Sequence, residues 1–238
     1  MYKNKIVIVT GSSRGIGLEI TKHFIENGAF VIGLSKGKGK ILNKNYIHFS
    51  VDLSNAENII SCFKKEISKK YKHIDIVINN AAVLTPQYSM IMPAQNAIDM
   101  VNVNLLGVFF VSREAAKLMR NLSYGRIINI GSMTTSLEPI GESIYAACKA
   151  GINTMANVMA KEFSKMHITC NTLAITAFET DMLNQHSETA KIKIKELINN
   201  LTIPRIAKRD DILNVIDFFA AERSSYITAQ TLYLGGIN

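Results

Sequence analysis

Several residue types are scarce in this chain, and each shortage excludes a class of protein. Its 238 residues include no Trp, four Pro and three Cys. Cys62, Cys148 and Cys170 are isolated and odd in number, which excludes a disulfide framework or a zinc site and favours a reducing cytoplasm. The apolar stretch from Leu105 to Val111 is too short to span a membrane. We therefore expect a cytoplasmic protein with no metal, no membrane partner and no secretory leader.

Acidic residues are also few, since 19 Asp and Glu stand against 27 Lys and Arg, for a net charge of +8. A basic surplus can indicate a nucleic-acid partner, but no recognised nucleic-acid module occurs, so we expect none. The lysines between residues 64 and 72 are interpreted as a solvated helix end, with docking of an acidic carrier protein as the alternative. Apolar content of 47% and charged content of 19% are typical of a soluble globular domain.

Short apolar runs alternate with amphipathic segments along the whole chain. This alternation predicts an α/β fold, with one domain over residues 1–238 and a Rossmann-type doubly wound parallel sheet that carries helices on both faces. Residues 181–200 either form a helical lid over a substrate or simply cover the core. The predicted strands are Ile6–Thr10, Ala29–Leu34, Ile47–Val51, Ile74–Ile78, Arg126–Ile130, Ile168–Leu173 and Thr231–Leu234. The predicted helices are Gly15–Asn27, Ala56–Lys70, Gln95–Arg120, Tyr145–Lys165 and Asp210–Ala220.

Three glycines lie between the first strand and the first helix, at Gly11, Gly15 and Gly17. Glycine lets the backbone turn sharply and approach a phosphate, while the free amides of a helix N-terminus attract its charge. This context predicts a dinucleotide site, although glycine-rich turns between strands and helices also occur without any ligand.

The end of the second strand indicates which dinucleotide is bound. A site for NAD usually carries an acid about 20 residues after the glycines, which binds the ribose 2′-hydroxyl. No acid occurs there in this chain, whereas Arg14, Lys36 and Lys38 are available for a 2′-phosphate. The sequence therefore favours NADP(H) over NAD(H), unless the lysines belong only to a solvated loop.

Tyr145 and Lys149 are four residues apart on a predicted helix, so their side chains share one face. A nearby ammonium favours the phenolate and lowers the pKa of a tyrosine. Lowering that pKa by about 3 units requires about 4 kcal/mol, more than one exposed lysine supplies, so a second cation or a dry site would be needed. A packed aromatic ring beside a solvated amine is the alternative interpretation of the pair.

Taken with the glycine turn, this pair makes the chain resemble the short-chain dehydrogenase/reductase family over essentially its whole length. In the family's catalytic tetrad, Asn104 and Ser132 match the two members that join Tyr145 and Lys149. The resemblance implies that Tyr145 exchanges a proton with a carbonyl oxygen as hydride arrives, and that Ser132 stabilises the same oxygen. It further implies that Lys149 binds the nicotinamide ribose and that Asn104 anchors a water for proton relay.

The resemblance also implies a set of cofactor contacts and a homo-oligomer, either tetramer or dimer. Three features depart from the family pattern: Ile175-Thr176 replaces Pro-Gly, Ala82 replaces Gly, and the link from Ser35 to Tyr46 is too short for the usual helix. Besides Tyr145 and Lys149, the expected cofactor-binding residues are Gly11, Ser13, Arg14, Gly15, Ile16, Gly17, Ser35, Lys36, Asp52, Leu53, Asn80, Ala81, Phe178 and Thr180.

The substrate is expected to be a small or carrier-bound carbonyl compound. Within the family, the chain is similar to 3-oxoacyl-acyl-carrier-protein reductases, especially at residues 178–182 and 225–231, which implies reduction of a 3-oxoacyl thioester with NADP(H). The hydroxyl groups of Thr85, Thr134, Thr135 and Ser136 leave open a sugar-like or secondary-metabolite alcohol. A non-catalytic nucleotide-binding protein is the third alternative, although such proteins typically lose the Tyr or the Lys.

Overall fold

The computed structural model describes residues 1–176 and 198–236 of the chain. These residues form a seven-stranded sheet in the order β3-β2-β1-β4-β5-β6-β7, and every strand pair is parallel. The central strands are almost fully buried, as expected for β-branched runs covered on both faces. The strands are β1 (Ile6–Thr10), β2 (Phe30–Ser35), β3 (Tyr46–Ser50), β4 (Ile76–Asn79), β5 (Gly125–Ser132), β6 (Ile168–Ile175) and β7 (Thr231–Tyr233).

Helices cover both faces of this sheet, and alternate residues of the strands pack against them. Ile8, Val77 and Ile127 face the cluster formed with α2, α5 and α7, whereas Val7 and Ile76 face the cluster with α1 and α8. The α/β Rossmann-type architecture predicted from the sequence is therefore confirmed. The helices are α1 (Gly15–Glu26), α2 (Ala56–Cys62), α3 (Ser68–Lys70), α4 (Ala94–Val101), α5 (Val108–Met119), α6 (Thr134–Leu137), α7 (Ser143–Phe163) and α8 (Arg209–Ala220).

The strand order reverses between β1 and β4, because β1 pairs with β2 on one side and with β4 on the other. In open α/β sheets a crevice forms at such a switch point, outside the carboxyl ends of the strands. The segments that follow β1, β4 and β5 therefore meet at one edge of the sheet, and these segments contain the predicted site residues.

The helices differ from the sequence prediction in three places, of which the first is a π-helical segment, Phe63–Ile67, within the run predicted as one helix from Ala56 to Lys70. The run predicted as one helix from Gln95 to Arg120 contains a π-helical segment, Asn102–Gly107, between α4 and α5. Helix α7 begins at Ser143, two residues before Tyr145, so Tyr145 lies within its first turn. As predicted, no helix forms between β2 and β3. Most of the expected lid at 181–200, with Phe178 and Thr180, lies outside the described residues.

One helical run, which includes α4 and α5, is long enough to raise the question of a membrane segment. Ala94–Leu122 has 29 residues and is long and apolar enough, by length and composition alone, to cross a membrane. A helix packed in a protein core passes the same test, although only 28% of the most apolar stretch of this run is buried, and a single such run is weak evidence by itself. The run is therefore weak support for a membrane segment.

Candidate active site

Tyr145 and Lys149 lie next to each other on α7, as their spacing predicted. The ammonium of Lys149 is 5.6 Å from the centroid of the Tyr145 ring. Lys149 is only 2% exposed, and its Nζ donates a hydrogen bond of 2.7 Å to the carbonyl oxygen of Ile130 on β5. Because α7 packs on β5 and β6, this bond fixes the first turns of the helix against the carboxyl edge of the sheet.

A chain of hydroxyl groups connects the end of β5 to Tyr145. The hydroxyl of Thr134 donates to Ser132 Oγ at 3.0 Å, and the Thr134 amide points to the same oxygen at 3.2 Å. Ser132 is buried and hydrogen-bonds the phenol of Tyr145. Since Ser132 Oγ accepts twice from Thr134, its own proton is free to be donated, either to the phenol oxygen or to a bound substrate.

Burial raises the pKa of Tyr145 to about 12, and the charge of Glu142 adds to this effect, while the hydrogen bond from Ser132 opposes it. The expectation that Lys149 lowers this pKa is therefore wrong for the protein alone. The physical reason is that burial of the phenol disfavours the phenolate, while the lysine donates its hydrogen bond to Ile130. Tyr145 is thus a protonated acid at neutral pH.

Burial also acts on Lys149, whose pKa falls from the usual 10.5 to about 8. The apolar surroundings penalise the ammonium, because a single carbonyl oxygen does not replace its lost hydration. Lys149 therefore remains largely charged at neutral pH, at a cost to the stability of the fold.

Asn104 lies in the π-helical segment and is completely buried. Its side-chain amide binds the backbone of Val83 in both directions, since Nδ2 donates to the Val83 oxygen at 2.7 Å and Oδ1 accepts from the Val83 amide at 2.8 Å. Asn104 therefore fixes the segment that follows β4. Its predicted role in anchoring a water stays a prediction.

Asn80 and Ala81, which directly follow β4, hydrogen-bond the end of β1 and so hold the glycine turn in place. Both backbone amides donate to Thr10 Oγ1, at 2.9 and 3.0 Å, and Asn80 Nδ2 donates to the Thr10 carbonyl at 2.9 Å. This arrangement leaves no room at Gly17, where a Cβ would lie 2.3 Å from both Asn80 Nδ2 and the Gly11 oxygen. Arg14 precedes α1, and its side chain makes no capping hydrogen bond to the helix. The backbone amides of the first turn are therefore available to bind an anion.

We expect Gly17→Ala to disrupt this turn, because the added methyl group meets backbone atoms that cannot move aside. The free energy of unfolding should fall by about 1–3 kcal/mol, and dinucleotide affinity should fall with it. Gly151→Ala on α7 is the matched control, because its Cβ would meet only the flexible end of Leu105, at 3.2 Å. Thermal melts and dinucleotide titration measure both effects, and equal behaviour of the two variants would contradict this account.

The residues predicted for the adenosine end gather at the carboxyl ends of β1, β2 and β3. Lys36 and Asp52, to which the sequence assigned separate roles, form an ion pair of 3.0 Å. Ser54 and then Lys36 hydrogen-bond Asp52 and hold the pKa of its carboxyl below the usual value. The turn after β1 carries Gly11, Ser13, Arg14, Gly15 and Ile16, while Ser35 ends β2 and Leu53 follows β3.

Glu142 is a site residue that the sequence reasoning missed. It immediately precedes α7 and is three residues before Tyr145, so the two side chains share a helix face. Its carboxylate raises the pKa of Tyr145. The three-residue spacing was the available signal, but acidic residues before a helix are common enough to hide it.

The segment after Val83 and the segment that leads into α7 are hydrogen-bonded to each other. The amide of Gln87 donates to the Gly141 oxygen at 2.8 Å, and the hydroxyls of Ser89 and Ser143 are 3.0 Å apart. These segments expose a set of large apolar side chains, which we call the apolar rim. Its members are Leu84, Tyr88, Met90, Ile91 and Ile140.

Comparison with known proteins gives consistent results. A model of the short chain dehydrogenase family matches residues 5–191. The 3-oxoacyl-[acyl-carrier-protein] reductase FabG of Chlamydia pneumoniae is 34% identical, covering 98% of this chain and 96% of its own length. The FabG of Escherichia coli is 30% identical, covering 99% and 97%.

A solved structure agrees with these sequence matches. The ligand-free aldohexose dehydrogenase of Thermoplasma acidophilum superposes with a TM-score of 0.89 at 26% identity, covering 99% of this chain and 94% of that one. With its parallel sheet, its braced glycine turn and a family match over most of its length, the chain belongs to the short-chain dehydrogenase/reductase family of oxidoreductases.

Proposed function

We propose that the protein is an NADP(H)-dependent reductase that converts the ketone of a 3-oxoacyl thioester into a secondary alcohol, with Tyr145 as the general acid. The observation that carries the proposal is the group of hydroxyls formed by Thr134, Ser132 and Tyr145, beside the buried Lys149. Ser132 and the glycine turn both lie at the carboxyl edge of the sheet, which supports a proton donor close to the proposed dinucleotide site.

The site residues fit a nicotinamide dinucleotide, the cofactor that family membership implies. The close packing at Gly17 and the uncapped start of α1 provide a cradle of backbone amides for the pyrophosphate. Phe178 and Thr180 stay candidates for contacts at the nicotinamide end. The bound cofactor supplies a hydride to the carbonyl carbon, or accepts one from an alcohol.

The chain's own residues manage the proton that balances this hydride. Tyr145 donates its proton to the carbonyl oxygen, which requires a protonated phenol, as its raised pKa provides. Ser132 donates a hydrogen bond to the same oxygen as negative charge develops on it. Lys149 holds the catalytic turn of α7 against β5 and presents a positive charge next to the phenol ring. Asn104 keeps the segment after β4 in place.

NADP(H) is preferred in this proposal because cations, and no acid, follow β2. Arg14 and Lys36 are exposed at the turn and at the end of β2, where a 2′-phosphate lies in related sites. The ion pair with Asp52 holds Lys36 close to the sheet edge.

The acyl substrate is favoured by the apolar rim, whose residues lie in the segment after Val83 and just before α7, the helix that carries Tyr145. Met90 is almost fully exposed and Ile140 is 75% exposed, which suits contact with an acyl chain. The FabG relatives are named for reduction of 3-oxoacyl groups on acyl-carrier protein. The net charge of +8 suits an acidic carrier.

A second candidate is oxidation of an aldohexose. Thr135 binds the hydroxyl of Tyr233 at 3.2 Å and lies beside Thr134, so hydroxyl groups cluster near Ser132. Such a cluster suits a polyhydroxyl substrate, and the superposed dehydrogenase is named for aldohexoses.

A substrate and cofactor panel tests the proposal. We expect turnover of acetoacetyl-CoA with NADPH, at kcat/KM at least about tenfold above that with NADH, and none with aldohexoses and NADP⁺. Turnover of aldohexoses alone would replace the first candidate by the second. Tight NADPH binding without turnover of either class would indicate a non-catalytic nucleotide-binding protein.

We also propose a cytoplasmic homo-oligomer, a dimer or tetramer. Ile98, Leu106 and Val158 are each more than two-fifths exposed on the helical run from α4 to α5 and on α7. Burial of these side chains against a second copy removes apolar surface from water.

A further inference from the structure

One face of the edge strand β3 is polar, and each of its residues contacts a different loop. Tyr46, His48 and Ser50 are alternate residues, so their side chains point to the same side of the sheet. His48 Nε2 is 2.7 Å from the Gly37 oxygen, and the Ser50 hydroxyl donates to the Lys36 oxygen at 3.1 Å. The strand thus holds the backbone of the loop that follows β2.

Tyr46, on the same polar face of β3, reaches across β2 to the glycine turn. The hydroxyl of Tyr46 is 3.3 Å from Ser12 Oγ. It passes over Gly33, where a Cβ would lie 2.3 Å from the phenol oxygen and 2.4 Å from Ser12 Oγ. A larger residue at Gly33 would therefore break the connection between β3 and the turn.

Tyr46 and His48 are also bonded to each other, which makes the row continuous. Their atoms Oη and Nδ1 are 3.3 Å apart. A carbonyl oxygen only accepts, so His48 Nε2 carries the proton that is donated to Gly37. In the neutral imidazole Nδ1 is then an acceptor, so Tyr46 donates to His48 and itself accepts from Ser12. One directed chain connects the glycine turn to the loop after β2.

This chain compensates for the missing helix between β2 and β3. Residues 36–45 have no helical hydrogen bonds of their own to hold them in place. Gly37 lies against the turn, with its Cβ position 3.6 Å from Ser13 Oγ, and Lys36 precedes it. The position of Lys36 therefore depends on Ser50 and His48, through the backbone oxygens of Lys36 and Gly37.

We propose that Tyr46 and His48 are positioning residues that hold Lys36 beside the glycine turn, in the arrangement that recognises the 2′-phosphate of NADP(H), and so determine the cofactor preference. This inference rests on the NADP(H) preference proposed above. Neither residue contacts the reacting atoms, so each acts on cofactor binding rather than on the chemical step.

The test measures binding to the full chain by calorimetry, with 2′,5′-ADP and 5′-AMP as probes. His48→Phe keeps a ring but removes both hydrogen bonds. We expect the Kd for 2′,5′-ADP to rise about tenfold, because the loop loses its preorganisation, and the Kd for 5′-AMP to stay within about twofold. His48→Gln should restore most of the affinity, because its amide can donate to Gly37 and accept from Tyr46.

Tyr46→Phe is the second variant, with Tyr226→Phe as its matched control because Tyr226 is 99% exposed. We expect Tyr46→Phe to raise the KM for NADPH several-fold, with kcat and the KM for NADH nearly unchanged. Equal weakening of both probes, or no rescue by glutamine, would overturn the proposal and indicate a structural role. A wild-type protein that binds 2′,5′-ADP no better than 5′-AMP would instead remove the NADP(H) preference itself.

Discussion

Tyr145→Phe should lower kcat for ketone reduction by about 10²- to 10⁴-fold, the usual contribution of a positioned general acid. The variant keeps the ring and loses only the hydroxyl that Ser132 contacts. The affinity for NADPH and the melting temperature should therefore change little. Steady-state kinetics, cofactor titration and a thermal melt measure the three quantities, and a variant that retains half of the wild-type kcat would contradict the assignment of Tyr145.

The pH dependence provides a second measure of the same residue. With the phenol pKa raised to about 12, the acid stays protonated, so Tyr145 should not limit reduction between about pH 6 and 9. Alcohol oxidation needs the phenolate, so its rate should rise with pH. Glu142→Gln removes a negative charge that raises the pKa of Tyr145. In this variant the rate of alcohol oxidation should therefore begin to rise at a lower pH than in the wild type. A shift to higher pH would show that Glu142 acts differently.

Lys149→Met should change activity and stability in opposite directions. Turnover should fall by at least about 10²-fold, because the cation next to Tyr145 is lost. The free energy of unfolding at pH 7 should rise by about 1–3 kcal/mol, since burial has lowered the pKa of Lys149 from 10.5 to about 8 and each unit corresponds to about 1.4 kcal/mol. The loss of the hydrogen bond to Ile130 offsets part of that gain.

The sign follows from proton linkage. Because the folded-state pKa lies below the unfolded one, the unfolded chain binds more protons between about pH 8 and 10.5, and the contribution of Lys149 to stability rises with pH across that window. In Lys149→Met, this rise of the free energy of unfolding between about pH 8 and 10.5 should disappear. Lys161→Met, on the exposed face of the same helix, is the matched control and should leave activity and stability nearly unchanged. A less stable Lys149→Met protein would contradict the cost assigned to the buried ammonium.

The sequence predicted the fold well because its signals are local and repeated. The β-branched runs ending at Thr10 and Ile78 predicted buried parallel strands in an alternating pattern, and the sheet confirms them. Four-residue spacing on a helix likewise placed Lys149 beside the Tyr145 ring. The π-helical segments Phe63–Ile67 and Asn102–Gly107 were not predicted, because the apolar pattern of so short a run does not distinguish π-helical from α-helical hydrogen bonding.

The chemistry of the site depends on contacts between distant segments, and the sequence could not supply these. The pKa of Tyr145 rises because packing of the chain buries its phenol, and Lys149 donates to Ile130, a residue that strand packing brings close. The pairing of Lys36 with Asp52 depends on the register between β2 and β3. The row from Ser12 through Tyr46 to His48 is invisible in the sequence for the same reason, since it requires three strands and a glycine at position 33.

The most direct test of the central claim is a crystal structure of the protein with NADP⁺ and a 3-hydroxyacyl thioester. The account predicts that the hydroxyl groups of Tyr145 and Ser132 both lie about 3 Å from the alcohol oxygen, with the carbinol carbon facing C4 of the nicotinamide. A complex in which the Tyr145 hydroxyl points away from that oxygen in every subunit would contradict it.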